Sequence, residues 1–176
     1  MVNVGLAVPE VGKTDEPRTN RLAWSWLRRL PSTTELFGSA RTVIIYTAGG
    51  IAGFTLSSLA GAYFPNIPFL RAGGLTVGAS APLFGMIGAL YHYGRSGSSV
   101  ARQMAVSIMI QSLIFGLLVP GIDNYAHLGG FAGGYFTSAF LNPMTRERGD
   151  HMIIAAVCLV ASAASIAASI LTVFLR

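Results

Sequence analysis

Charge is what this sequence has least of. Only 11% of its 176 residues are Asp, Glu, Lys or Arg, against roughly 25% in an average globular domain. That is too few charged groups to solvate a compact soluble surface. None of them falls between Arg41 and Arg71. Cysteine is nearly absent as well: Cys158 stands alone, which excludes an internal disulfide, and in its apolar run it reads as a small packing residue. No His-Glu-x-x-His stretch is present to suggest a zinc protease, and neither a metal nor a cofactor is expected. Residues 1–20 carry no apolar run with a basic flank and a cleavage site, so no signal peptide is expected. There are no internal repeats.

What is present is apolar. Hydrophobic residues make up 52% of the chain and the mean hydropathy is +0.58, which points to a single integral membrane domain. The net charge of +5 does not indicate a nucleic-acid partner. The basic residues punctuate apolar segments, as membrane topology demands, and do not gather with aromatics on one soluble face.

Residues 42–62 are long enough to cross a bilayer, which takes about 20 apolar residues; Pro65 and Pro68 close that helix. A second helix over 80–94 is shorter than a full crossing, so its start must be buried in protein or face a watery cavity. Further helices are expected over 100–118, closed by Pro120-Gly121, over 125–141, stopped at Asn142-Pro143, and over 151–175. The expected fold class is an all-α membrane protein, a polytopic bundle of about five transmembrane helices. Ahead of it, residues 1–34 form a polar to amphipathic segment. Within that segment, 21–30 place Trp24 and Trp26 among arginines. Such a stretch suits a short helix in the bilayer interface and equally a solvated linker.

The basic residues set an expected orientation. With a cytoplasmic N-terminus, ten of the twelve lie inside: Lys13, Arg18, Arg21, Arg28, Arg29, Arg41, Arg95, Arg102, Arg146 and Arg148. Only Arg71 and Arg176 fall outside, a strong inside bias. The starts of the second and fourth helices then share one depth, near the external face.

Those two helix starts carry the candidate chemistry. Ser80 lies in Gly78-Ala79-Ser80-Ala81-Pro82-Leu83-Phe84-Gly85, and His127 in Ile122-Asp123-Asn124-Tyr125-Ala126-His127-Leu128-Gly129-Gly130. An ionisable group inside a membrane marks function by default. A serine hydroxyl needs an adjacent base to act as a nucleophile; imidazole, with an ordinary pKa of about 6.5, suits that task at neutral pH. A helix N-terminus adds unpaired N–H groups and the positive end of the dipole for a developing oxyanion. Gly78 and Ala79 leave room for a substrate backbone. Ala81, Gly85 and Gly88 on one helix, with Gly130 and Gly134 on the other, recur at spacings that let membrane helices approach closely. Phe84, one turn after Ser80 on the same face, either lies under the imidazole or packs as any core aromatic.

Plainer readings stand beside these. A serine in an apolar helix often bonds back to the preceding turn, and a lone histidine can be a packed or relay residue. Asp123, four residues before His127, reads as a helix-start residue. His92 and His151 fall towards cytoplasmic helix ends, at the interface.

Together GASAPLFG and DNYAHLGGFAGG resemble the rhomboid family of intramembrane serine proteases. The family pattern is a Gly-x-Ser helix start and, two helices later, an Ala-His-x-x-Gly helix, both reached from the external side. The resemblance covers about residues 35–142, and Glu35-Leu36-Phe37-Gly38-Ser39-Ala40-Arg41 is similar to the loop before the family's third core helix. It implies a rhomboid-like core of four helices over 35–142 and an added transmembrane helix within 143–176. It also implies that Ser80 is the nucleophile and backbone oxyanion donor and His127 the general base, a dyad needing no carboxylate. Transmembrane proteins would be cut near the extracytoplasmic face.

Two departures follow. Ala81 stands where the family usually has glycine. Residues 1–34 hold no counterpart of the first two core helices, nor of the Trp-Arg loop and the His and Asn oxyanion donors that come with them. Losing one such donor costs roughly 100- to 1,000-fold in rate, so little proteolysis is expected of these residues alone. The competing expectation is a non-catalytic rhomboid-like protein that binds transmembrane helices, or an inactive fragment. An unrelated small transporter fits poorly with so few intramembrane charges.

Overall fold

A computed structural model describes residues 33–63, 78–119 and 121–174. Among these residues six helices follow one another: α1 Thr33–Phe37, α2 Ser39–Tyr63, α3 Ser80–Ser96, α4 Ser99–Leu118, α5 Asn124–Phe140 and α6 Gly149–Phe174. Long apolar runs ended by glycine, proline or charge account for the five long helices, whose ends fall close to those expected. The segment over 21–30 and the prolines expected to close α2 lie outside the described residues.

One expectation is corrected. Glu35–Arg41 is not a loop: α1 occupies its first half, α2 already runs through Ser39, and Gly38 alone separates them. Gly38 adopts φ 83°, the left-handed conformation that ends helices and that glycine takes at little cost. Its N–H closes α1 on the Thr34 carbonyl at 2.8 Å, and its own carbonyl accepts the Thr42 N–H at 3.1 Å. The first N–H groups of α2 are then satisfied from afar. Glu147 Oε1 accepts from Ala40 N at 2.7 Å and from Arg41 N at 3.2 Å.

Arg41 completes this junction. Its side chain is fully buried, and its guanidinium donates to the carbonyl oxygens of Asn142 and Thr145 and to Thr145 Oγ1 at 2.8 Å. The turn between α5 and α6 is thereby fastened to the start of α2. A buried cation is tolerable only with hydrogen bonds of this kind; the two terminal nitrogens carry them, and Nε is buried without one.

Among the described residues, three helices are long and apolar enough to cross a membrane: Ser39–Tyr63, Ser99–Leu118 and Gly149–Thr172. Nearly all of α6, and most of α4, present Ile, Leu, Val and Phe outward, as a lipid-facing surface does. α3 and α5 have 17 residues each and form the centre of the bundle with α2, making its most extensive helix contacts. α6 packs on α2.

Small residues make that centre possible. A Cβ added to Gly49 of α2 would sit 2.7 Å from Gly85 Cα, and one added to Gly53 would sit 2.7 Å from the Ala81 side chain. On α5, a Cβ at Gly130 would run into the Ala81 carbonyl, and one at Gly134 into the Gly85 carbonyl. Backbone therefore meets backbone, as small residues permit in lipid, where dispersion contacts carry much of helix association. Gly134→Val is expected to lower stability by at least about 1–3 kcal/mol, the usual cost of overpacking a tight core. Equilibrium unfolding in mixed detergent micelles measures the loss, and an unchanged midpoint would contradict the packing.

Candidate functional site

The first turn of α3 is built to expose its backbone. Gly78 has φ 118° with nothing near the place a Cβ would occupy, so conformation rather than crowding calls for glycine there. Ala79, the capping residue, supplies no side-chain acceptor. Leu83 N donates to the Ala79 carbonyl at 3.0 Å, and Pro82 has no N–H. The amides of Ser80 and Ala81 are thus left without intrahelical partners. Ser80 is half-buried at this edge, while Ala81, Pro82 and Phe84 are buried behind it.

The first turn of α5 is built the opposite way, closed by side chains. Asp123 caps it, its Oδ1 accepting from Ala126 N at 2.9 Å and its Oδ2 accepting from the Ser57 hydroxyl of α2. Asn124, 1% exposed, lays its amide against Gly116 of α4, where a Cβ would collide with it. One turn on, the ring of His127 stacks on Phe84 with centroids 4.1 Å apart and planes 14° from parallel. Offset stacking of this kind contributes about 0.5–1.5 kcal/mol beyond the area it buries.

The residues singled out from the sequence therefore converge. Ser80 and Phe84 share one face of α3, His127 lies on Phe84, Gly130 meets Ala81 and Gly134 meets Gly85. No hydrogen bond joins the Ser80 hydroxyl to the imidazole among the described residues, and Nδ1 of His127 is buried without a partner. Catalytic hydrogen bonds often tighten only when substrate is in place. His127 also borders a pocket of about 540 Å³ between α4 and α5, lined by Gln111, Phe115, Leu118 and Ile122, a volume within the range of ligand sites.

His92 lies at the other end of α3, edge-on to Tyr135, and His151 is in the first turn of α6. Among the described residues, no three His, Cys, Asp or Glu side chains group as metal ligands. Ser57 and Asn124 were not anticipated. A polar residue beside Asp123 was a visible signal for Asn124; Ser57 gave none that sets it apart from Ser58.

The Rhomboid domain family matches residues 23–144. The chain belongs to the rhomboid family. The match begins at residue 23, earlier than the 35 at which the motifs first carry the resemblance. Rhomboid protease GluP of Bacillus subtilis is 33% identical over 132 residues, 73% of this chain and 24% of that protein. RHOMBOID-like protein 1 of Arabidopsis thaliana is 33% identical over 104 residues, 56% of this chain and 24% of that protein. Rhomboid-like protease 5 of Toxoplasma gondii is 31% identical over 105 residues, 56% of this chain and 11% of that protein. The chain thus spans a quarter or less of the length of these relatives. No solved structure matches it. Rhomboids are integral membrane proteins, either serine proteases acting on transmembrane substrates or rhomboid-like proteins without activity.

The stack on Phe84 gives this rhomboid a graded test. Phe84→Leu is expected to lower stability by about 0.5–1.5 kcal/mol through loss of the ring pair. Phe84→Ala should cost about 3–5 kcal/mol because it also leaves a cavity. Unfolding of both variants in micelles measures the two steps; a Phe84→Leu variant as stable as the parent would mean the ring serves only as volume.

Proposed function

We propose that this rhomboid is an intramembrane serine endopeptidase that cleaves transmembrane substrates near the extracytoplasmic face, with Ser80 as nucleophile and His127 as general base. The observation that carries the reading is the imidazole stacked on Phe84, one helical turn from Ser80 and beside a pocket.

In this mechanism His127 takes the proton of the Ser80 hydroxyl as Oγ attacks the scissile carbonyl carbon. The carbonyl oxygen becomes an oxyanion facing the Ser80 and Ala81 amides, the preorganised donors such a charge requires. The imidazolium then gives its proton to the departing amine, leaving an acyl group on Ser80. Water, deprotonated by His127, attacks that ester; the acid leaves and Ser80 regains its proton. A substrate helix must first unwind locally, because each helical carbonyl is held by its own hydrogen bond. The competing reading, a rhomboid-like protein that binds transmembrane helices without cutting them, is favoured by the missing hydrogen bond between Ser80 and His127.

A fluorophosphonate probe separates the two. Labelling is expected on Ser80, abolished in Ser80→Ala and slowed by about 100-fold or more in His127→Ala, the usual contribution of a general base. Labelling indifferent to either substitution would remove the protease reading and leave the binding one.

Orientation has a separate test. The inside bias of the basic residues supports a cytoplasmic N-terminus and an extracytoplasmic site. Asn66→Cys in a Cys158→Ser background is expected to react with an impermeant thiol reagent from outside the cell. Reaction only after permeabilisation would reverse the topology.

A further inference from the structure

We infer that Asp123 is the positioning residue of the His127 base, fixing the height of the imidazole by tying the first turn of α5 to Ser57 of α2. This rests on the dyad reading above. Asp123 is 7% exposed and Ser57 3%, so the contact is made inside the bundle. A helix cap needs one oxygen; here Oδ1 serves as the cap to Ala126 N and Oδ2 accepts from Ser57 as well. A carboxylate at this depth is tolerable only with hydrogen bonds of that kind.

The geometry explains why the tie matters. Gly49, Gly53 and Ser57 recur every four residues on α2, along one face. The two glycines set how closely α2 approaches α3 and α5, but contacts between smooth surfaces do little to stop one helix sliding along another. The Ser57–Asp123 hydrogen bond is directional and joins the two helices at fixed positions, so it restrains axial register. His127 depends on register more than most catalytic histidines. Its Nδ1 has no hydrogen-bond partner, so no polar group orients the ring through that nitrogen. The imidazole sits over Phe84 at 4.1 Å, and a slip of one residue, about 1.5 Å along a helix, would move it across that face. Asp123 acts through the backbone turn it caps, not by holding the imidazole as the carboxylate of a triad does.

The test uses the whole chain in lipid nanodiscs, with Asp123→Asn, Asp123→Ala, Ser57→Ala and the double Ser57→Ala/Asp123→Ala variant. The first readout is independent of catalysis: the ring-current-shifted side-chain resonances of His127, recorded on histidine-labelled protein and assigned with His127→Ala. The second is the rate of Ser80 labelling by a fluorophosphonate. Asparagine caps as well as aspartate and can still pair with Ser57, so Asp123→Asn is expected to keep both the shifted resonances and the labelling rate. Asp123→Ala and Ser57→Ala should lose the shift and label about 10- to 100-fold more slowly, as a misplacement near 1 Å does, with half-saturating probe concentration unchanged. The double variant should be no worse than the more damaging single, because both substitutions break one tie.

Unchanged His127 resonances in Ser57→Ala and Asp123→Ala would overturn the inference. So would an Asp123→Asn variant as damaged as Asp123→Ala, since charge rather than the tie would then be at work. Ser57→Ala removes only a hydroxyl, so the test survives should Asp123→Ala fail to fold. Resonances that follow the expected pattern in a protein whose Ser80 never labels would refute the dyad while supporting the placement of His127 by Asp123.

Discussion

Backbone-to-backbone contact among α2, α3 and α5 is the constraint on which everything else in this molecule rests. Gly49 against Gly85, Gly130 against the Ala81 carbonyl and Gly134 against the Gly85 carbonyl leave no room for a single methyl group. Helices this close carry two 17-residue segments that would be poor spans alone, and let their starts sit within the bundle. There the polar groups of a helix terminus are tolerable because protein or a water-filled cavity, not lipid, surrounds them. The longer apolar helices, α4 and α6, take up the lipid contact instead.

Within that frame the two helix starts divide the work. α3 begins without a side-chain cap, leaving its first amides without side-chain acceptors; α5 begins with Asp123 satisfying its first turn and reaching α2. In the proposed mechanism the first end is open for chemistry and the second locked for placement. The histidine belongs to the locked end, and its ring is held flat by Phe84 from the open end. In the proposed dyad, which has no carboxylate orienter, stacking and helix register together would supply what a third polar residue provides elsewhere. The pocket at His127 lies beside α4, which touches α5 sparingly; Gly116 meets Asn124 there.

Much of this was legible in the sequence, and for identifiable reasons. Helix positions were readable because uncharged apolar runs end at Gly121, Asn142-Pro143 and Asp150. The approach of α3 to α5 was readable from Ala81, Gly85, Gly88, Gly130 and Gly134, since small residues at helical spacing have few other uses in lipid. α2 as the third wall was missed, although Gly49, Gly50 and Gly53 carry the same signal. The span 35–41 was misread because one glycine with positive φ, rather than a loop, makes the break between α1 and α2. Arg41, Glu147 and Ser57 could not be foreseen: each acts on a partner 66 or more residues away, and local pattern carries no information about such pairs.

The central claim is that this packing delivers the imidazole of His127 to the hydroxyl of Ser80. An experimental structure of the protein after reaction with a fluorophosphonate tests it most directly. The account predicts phosphorus bonded to Ser80 Oγ, a phosphoryl oxygen facing the Ser80 and Ala81 amides, and the His127 ring still flat on Phe84 with one nitrogen at a hydrogen-bond distance of about 2.6–3.2 Å from the adduct. An adduct on another residue, or an imidazole turned off Phe84 and away from Ser80, would contradict it.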